Sequence, residues 1–140
     1  MASALRQLRP GLRVIAVELE EGPGLAPARA AGKPITVPRP HGTLADGMTP
    51  PFVGALPLAI SLTCVDQIVT VSEAAIREAM VMLMTRAKLY VEGSGAAAVA
   101  ALRSGSFRAA PGERVVAIVS GGNVDPERAF AALTAGEAAR

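Results

Sequence analysis

Residues 114–125, RVVAIVSGGNVD, decide the fold. Arg114–Val119 is an apolar, largely β-branched run of the length of one strand, and a run without polar alternation suits a strand buried on both faces of a parallel sheet. It ends in a turn of small residues, Ser120, Gly121, Gly122 and Asn123, after which Asp125 and Pro126 open a helix with proline at its first position. Ligands of open parallel sheets bind outside the carboxyl ends of the strands, which is where this turn falls. Two glycines allow close backbone approach, while a hydroxyl and an amide offer directed hydrogen bonds. Taken alone, the pattern fits a plain tight turn as well as a ligand contact.

Working outward, the other segments alternate in the same way. Residues 3–9 read as the end of a helix closed by Pro10 and Gly11, and residues 13–18, RVIAVE, as a strand. Residues 19–51 are rich in proline and glycine, with room for one short helix at 25–31; a connection of that length is usually functional or disordered. A helix is expected from Phe52 to about Cys64, with Pro57 restricting its start. Residues 66–72 form the next strand, and Ser72 caps a helix in which Ile76, Met80, Leu83, Met84 and Ala87 recur at helical spacing. LYVEG, 89–93, is a brief extended segment; Ser94 is placed to cap an alanine helix that Gly105 closes in the left-handed conformation. A last helix covers PERAFAALTAG, 126–136. Alternation of this kind predicts an α/β fold, three layers (αβα) with a mainly parallel sheet.

Composition bounds the function. The 140 residues are 51% apolar and 19% charged, enough for one domain with a real core, but aromatics are only 3% and Trp is absent, so that core is built from aliphatic residues and alanine. Net charge is +2, and Arg6, Arg9, Arg13, Arg29, Arg39, Arg77 and Arg86 are scattered without a basic stripe or interleaved aromatics, which argues against nucleic acid as a partner. The longest apolar stretch, FVGALPLAISLTCV, is short of a membrane span and holds Pro57, and the first residues do not form a signal peptide. A cytoplasmic location is expected. The single cysteine, Cys64, excludes an internal disulfide and reads either as a small buried hydrophobe or as a nucleophile; the lone His41 sits in the Pro/Gly-rich loop.

Five segments in order, LRPGLRVIAVE (8–18), TLADGM (43–48), DQIVTVSEAAIREAM (66–80), RAKLYVEGSGAAAVAAL (86–102) and RVVAIVSGGNVD (114–125), together resemble the threonine dehydratase and serine racemase family. The resemblance implies pyridoxal-phosphate chemistry on a tryptophan-synthase-β-like fold, of which residues 1–140 would be the C-terminal portion of the large domain. It implies that Ser120 hydrogen-bonds the pyridine nitrogen of the cofactor, with Gly121 and Asn123 beside it, and that Gly47 and Glu92 line the ring. A hydroxyl does not stabilise a protonated pyridinium as a carboxylate would, so the ring is a weaker electron sink, suited to loss of a β-hydroxyl. The implied reaction is elimination from threonine or serine to a 2-oxo acid and ammonia. Asp46 reads equally as a turn or helix-capping aspartate. Glu18 matches an acid that holds a divalent cation in one branch of the family, but the position six residues on, an aspartate there, is Gly24 here, so no metal site is expected by that pattern.

The chain departs from the family in three ways. Gly93 stands where a proline usually follows the ring-lining glutamate. The motif of the lysine that links the cofactor, the asparagine loop and the phosphate-binding glycine loop have no counterpart in this sequence. Of its two lysines, Lys33 reads as a solvated loop residue and Lys88 as one placed near a helix C-terminus. No catalytic residue is therefore assigned to this chain, and no regulatory domain of the kind that binds small effectors is expected after the Ser-Gly-Gly-Asn turn. The chain then reads as a truncated gene product or as one half of a split enzyme whose partner supplies the lysine and the phosphate loop, and its expected partners are that missing N-terminal half or further copies in a homo-oligomer. Two other functions stay open: a non-catalytic small-molecule-binding or partner module derived from this fold, and a serine racemase-type activity.

Overall fold

The computed structural model describes residues 1–135. Its sheet is a parallel pair, β1 (Ile15–Leu19) and β2 (Gln67–Val71), in register from Ile15 opposite Gln67 to Leu19 opposite Val71. Hydrogen bonds from Asp66 N to Val14 O and from Glu20 N to Val71 O continue the pairing at both ends. Helix α1 (Ala2–Leu8) packs on α3 (Ala55–Cys64). From α1, Arg6 Nη2 reaches Asp66 Oδ2 at 2.7 Å, and the same oxygen accepts Val14 N at 2.7 Å, so one carboxylate ties together the entries of both strands.

Proline placement explains where α3 begins. Pro57 is the third residue of the helix, within the first turn, where backbone N–H groups have no intrahelical acceptor and a missing donor costs nothing. The start is therefore Ala55 rather than Phe52. Helix α2 (Leu25–Ala31) lies where the short Ala-rich helix is expected and closes on Gly32 in the left-handed region. Its amino end is held by Glu18, whose carboxylate accepts the N–H groups of Gly24 (2.7 Å), Leu25 and Ala26 (2.9 Å). An acid at the foot of a helix meets both the orphan donors and the positive end of the dipole. At the other end of α3, Arg29 Nη1 donates to Ser61 O and Val65 O, and Cys64 is buried, in line with the hydrophobe reading.

Helix α4 (Glu73–Thr85) begins at Ser72, whose Oγ accepts Ala75 N at 3.3 Å, the cap expected from the sequence. It buries Ile76, Ala79, Met80 and Leu83 against α5 (Gly93–Ser104), which contributes Ala96, Ala97, Ala100 and Ala101. Helix α5 also packs on both strands, and α6 (Pro126–Thr134) lies against α4 with Ala129 and Ala132 buried. The largest fully buried side chains are Leu19, Val71, Ile76, Met80 and Val91, so the core lies between the sheet and the α4–α5 pair. Gly105 closes α5 at φ 79°, as expected. The expected last helix reaches Gly136, which lies outside the described residues.

Two further expectations need correction. The run Arg114–Val119 is not a paired strand: among the described residues its backbone makes no hydrogen bond to β1, β2 or any other segment, and Val116 is 86% exposed. Strand character requires a neighbour's donors and acceptors, and none of the described residues offers them there. Residues 89–92 of LYVEG form no helix, in line with the brief extended segment expected there, and Glu92 N donates to Gly121 O at 3.1 Å. Ser94 is not a cap, because α5 starts two residues earlier than that cap would place it, with Glu92 at the N-cap position.

Candidate functional site

The carboxyl end of β2 begins a chain of contacts that ends at the Ser120 turn. Glu73, the first residue of α4, accepts Thr43 Oγ1 at 2.7 Å and Leu44 N at 2.6 Å, which fixes the loop carrying residues 43–48. Arg128 of α6 grips the same loop, with Nη2 on Thr43 O at 2.7 Å and Nη1 on Asp46 Oδ2 at 2.9 Å. The hydrogen bond from Arg128 holds the Asp46 carboxyl below the usual aspartate range, against a smaller opposing effect of burial. Asp46 thus opens a short 3-10 turn, Asp46–Met48, and pairs with Arg128. Its role is structural.

That loop lies against the start of α5. A Cβ on Gly93 would run into the carbonyl of Leu44, so only a residue without a side chain lets the loop and helix meet. Gly47 lies close by: a Cβ there would be 3.0 Å from Ser94 Oγ and 3.9 Å from Glu92 Oε1. Gly121 comes in from the other side, where a Cβ would be 2.5 Å from Glu92 Oε1. The structure therefore brings three of the expected residues, Gly47, Glu92 and Gly121, to one place at the amino end of α5. Ser120 is exposed and adjoins this cluster through Gly121. Asn123 is also exposed and lies farther along the turn, beyond Gly122; Tyr90 Oη donates to the next carbonyl, Val124 O, at 2.9 Å.

Sequence reasoning missed the site role of Ser94. Its Oγ is buried without a hydrogen-bond partner, facing Gly47. An orphaned buried hydroxyl costs free energy and marks a place where a partner is due. Only the helix boundary, two residues earlier than a Ser94 cap implies, separates a cap from a side chain facing Gly47. The two lysines stand apart from it. Lys88, at φ 59°, donates from Nζ to Thr85 O at 2.8 Å and so serves the carboxyl end of α4, while Lys33 is exposed in its loop. Glu18, the residue matched to a cation ligand, spends its carboxylate on the amides of α2.

A hydroxyl, a carboxylate and thin glycine walls at the open end of a parallel sheet suit a flat heterocycle rather than an extended polymer. The sequence profile described as pyridoxal-phosphate dependent enzyme matches residues 1–121. The chain belongs to this family. It is 42% identical over 129 residues to the catabolic L-threonine dehydratase TdcB of Escherichia coli, covering 91% of this chain and 39% of that protein. It is 39% identical over 129 residues to serine racemase of Arabidopsis thaliana, covering 89% of this chain and 38% of that one. The solved structure of maize serine racemase superposes with a TM-score of 0.80 at 34% identity, over 96% of this chain and 42% of the maize chain. The chain thus spans about two-fifths of the length of the relatives it matches.

The family cofactor can be tested against these side chains. Ser94 Oγ is an unsatisfied donor at the cluster, and Gly47 and Gly121 leave space beside Glu92 that a Cβ would fill. These groups fit the ring side of the cofactor. Arg128, which grips the loop, is already committed to Asp46 and Thr43. Among the described residues, no helix is long and apolar enough to cross a membrane.

Proposed function

We propose that this chain supplies the ring-binding half of a pyridoxal-phosphate site in which threonine or serine loses its β-hydroxyl to give a 2-oxo acid and ammonia. The observation that carries the reading is the meeting of Gly47, Glu92 and Gly121 around the unpartnered Ser94 hydroxyl, next to the exposed Ser120. Bound there, the cofactor supplies an electron sink for the α-carbon of the amino acid. Ser120 offers the pyridine nitrogen one neutral hydrogen bond, which orients the ring without fixing a proton on it. Asn123 offers an amide from the same turn, and Ser94 gains the acceptor it lacks. Gly121 and Gly47 keep the faces of the ring clear, while Glu92 places a negative charge beside it at the favourable end of the α5 dipole.

On this reading residues 1–140 form a portion of a lyase catalytic domain. The protein is cytoplasmic, takes no nucleic acid, and works with a further polypeptide or as a homo-oligomer. Identity with serine racemase favours a second reading, exchange of the α-proton of serine. The two differ in product, a 2-oxo acid or D-serine.

The test is a pyridoxal-phosphate titration of the chain followed by induced circular dichroism, with borohydride treatment and peptide mapping. Binding is expected to be reversible, and Ser120→Ala is expected to weaken it about tenfold, as for one hydrogen bond lost. The reading is overturned by binding that ignores both Ser120→Ala and Glu92→Gln, or by a cofactor fixed on Lys33 or Lys88. Assay of 2-oxobutanoate and D-serine with the assembled enzyme then separates the two activities.

A further inference from the structure

We infer that Arg128 is a positioning residue for the cofactor site: its guanidinium ties the Ser-Gly-Gly-Asn turn to the loop 43–48 and so sets how far apart two walls of the site stand. Three pieces of chain meet at the cluster, namely the loop, the start of α5 and the turn. Two of their three junctions are made without Arg128. The loop rests on α5, where Gly93 lies under the Leu44 carbonyl and Gly47 faces Ser94, and α5 reaches the turn through Glu92 N on Gly121 O at 3.1 Å. Two junctions alone leave a hinge at α5. The third comes from Arg128 of α6, with Nη1 on Asp46 Oδ2 at 2.9 Å and Nη2 on Thr43 O at 2.7 Å, and it closes the triangle.

The two walls differ in what holds them. The loop is fixed from the β2 side, because Glu73 accepts both Thr43 Oγ1 and Leu44 N. The turn follows residues 114–119, which have no backbone partner among the described residues. Beyond the turn, Tyr90 Oη donates to Val124 O at 2.9 Å, and α6 begins two residues later. Arg128 is the third residue of that helix, so a single helical turn carries both the end of the binding turn and the guanidinium that reaches the loop. Through it the fixed wall places the loose one. The residue type matters, since a planar fork engages a carbonyl and a carboxylate three residues apart at once, whereas an ammonium acts as one point charge.

Strength and geometry separate here. The side chains of Arg128 and Asp46 are 41% and 60% exposed, so the pair adds little to the stability of the fold. Binding answers to a different quantity. Walls held at a set separation before a ligand arrives do not have to be ordered when it binds, and that saving appears directly in affinity. Loss of Arg128 therefore acts on how the ring is held more than on folding. In its bearing on the cofactor the inference rests on the reading above; the third junction itself does not.

The experiment compares the 140-residue chain with Arg128→Ala, Arg128→Lys and, as a control on α6, a variant of the exposed Glu127, Glu127→Gln. The first readout needs no cofactor. It is amide exchange at Glu92, whose N–H bonds to the turn, and at Met48, whose N–H bonds within the loop. Arg128→Ala is expected to speed exchange at Glu92 at least about tenfold, and at Met48 less, because Glu73 still holds the loop. The second readout is pyridoxal-phosphate titration followed by induced circular dichroism. Arg128→Ala is expected to raise Kd at least about tenfold and to shrink the induced signal, with Arg128→Lys in between, Glu127→Gln like the parent and all far-UV spectra alike. Millimolar guanidinium chloride is expected to restore the affinity of Arg128→Ala, which a variant that had only lost stability would not show. The inference is overturned by unchanged exchange at Glu92 in Arg128→Ala, by cofactor affinity and dichroism equal to the parent's, by an equal loss in Glu127→Gln, or by a loss that guanidinium leaves in place. If the parent chain binds no pyridoxal phosphate, the cofactor reading fails, and the exchange readout alone then decides whether Arg128 makes the third junction.

Discussion

The paired strand β1 and the unpaired run 114–119 are built from similar residues and have opposite fates. β1, with Ile15, Ala16 and Val17, lies in a full ladder with β2 and ends at Leu19, which is 1% exposed. The run Val115–Val119 has the same aliphatic character and ends at the turn expected to meet the cofactor, yet Val116 stands 86% exposed. Composition is not what separates them. A strand is a relation between two backbones, and the molecule supplies a neighbour for one of these runs but not the other. The difference teaches that the Ser-Gly-Gly-Asn turn follows a run without backbone partners among the described residues, while the loop and helix it faces are anchored.

The sharpest way to break the comparison is to remove one side chain from each region. Met80 is fully buried in the α4–α5 core, so Met80→Ala is expected to cost about 2–5 kcal/mol in urea unfolding. Val116→Thr is expected to stay within about 0.5 kcal/mol. Equal losses would show that the exposed run is packed after all. A second substitution probes the anchored side. Gly93→Val drives a side chain into the Leu44 carbonyl and should cost about 1–3 kcal/mol, with faster proteolysis of residues 43–48. A neutral result would mean that the loop does not rest on α5.

The smallest effect sharpens the comparison through pH. Asp46 has its carboxyl lowered in the folded chain, chiefly by the hydrogen bond from Arg128, so the pair stabilises the fold above the ordinary aspartate value and that contribution is lost as pH falls through the lowered one. The pair is largely solvated, with side chains 41% and 60% exposed, so Arg128→Ala is expected to cost less than about 1 kcal/mol near pH 6 and progressively less in a second sample taken well into acid, as Asp46 protonates. Unfolding curves at the two pH values check this. A gap that does not shrink in acid would put the stabilising contact elsewhere, at Thr43 O.

How far the sequence could be read follows from the range of each cause. Ser72 as a cap, Gly105 as a helix end and the apolar face of α4 depend on neighbours within a turn or two, and all three stand in the structure. The two strands at 13–18 and 66–72 were legible from isolated apolar runs, within a residue or two at each end, but their pairing with each other was not. Less local matters were not. Whether 114–119 pairs depends on a partner, and a strand pattern is silent on that. In the site, the meeting of Gly47, Glu92 and Gly121 followed from the family resemblance rather than from spacing, since these residues come from three distant segments. The cap falls two residues before Ser94 because Glu92, without a capping hydrogen bond of its own, takes the N-cap position. Arg128 left no local signal; its two contacts cross more than half the chain.

The route from β1 to β2 has a kinetic consequence. Their ladder closes only after residues 20–66 have been brought round, through two helices and a proline-rich connection. Loop-closure entropy is spent before any cross-strand bond is made, so the helices have the means to form early and the sheet does not. During that interval both edges of β1 are bare, twice the adhesive backbone that the finished fold shows. Refolding yield should then depend on protein concentration more steeply than the stability of the native chain does, because the competitor to the native ladder is another molecule's strand.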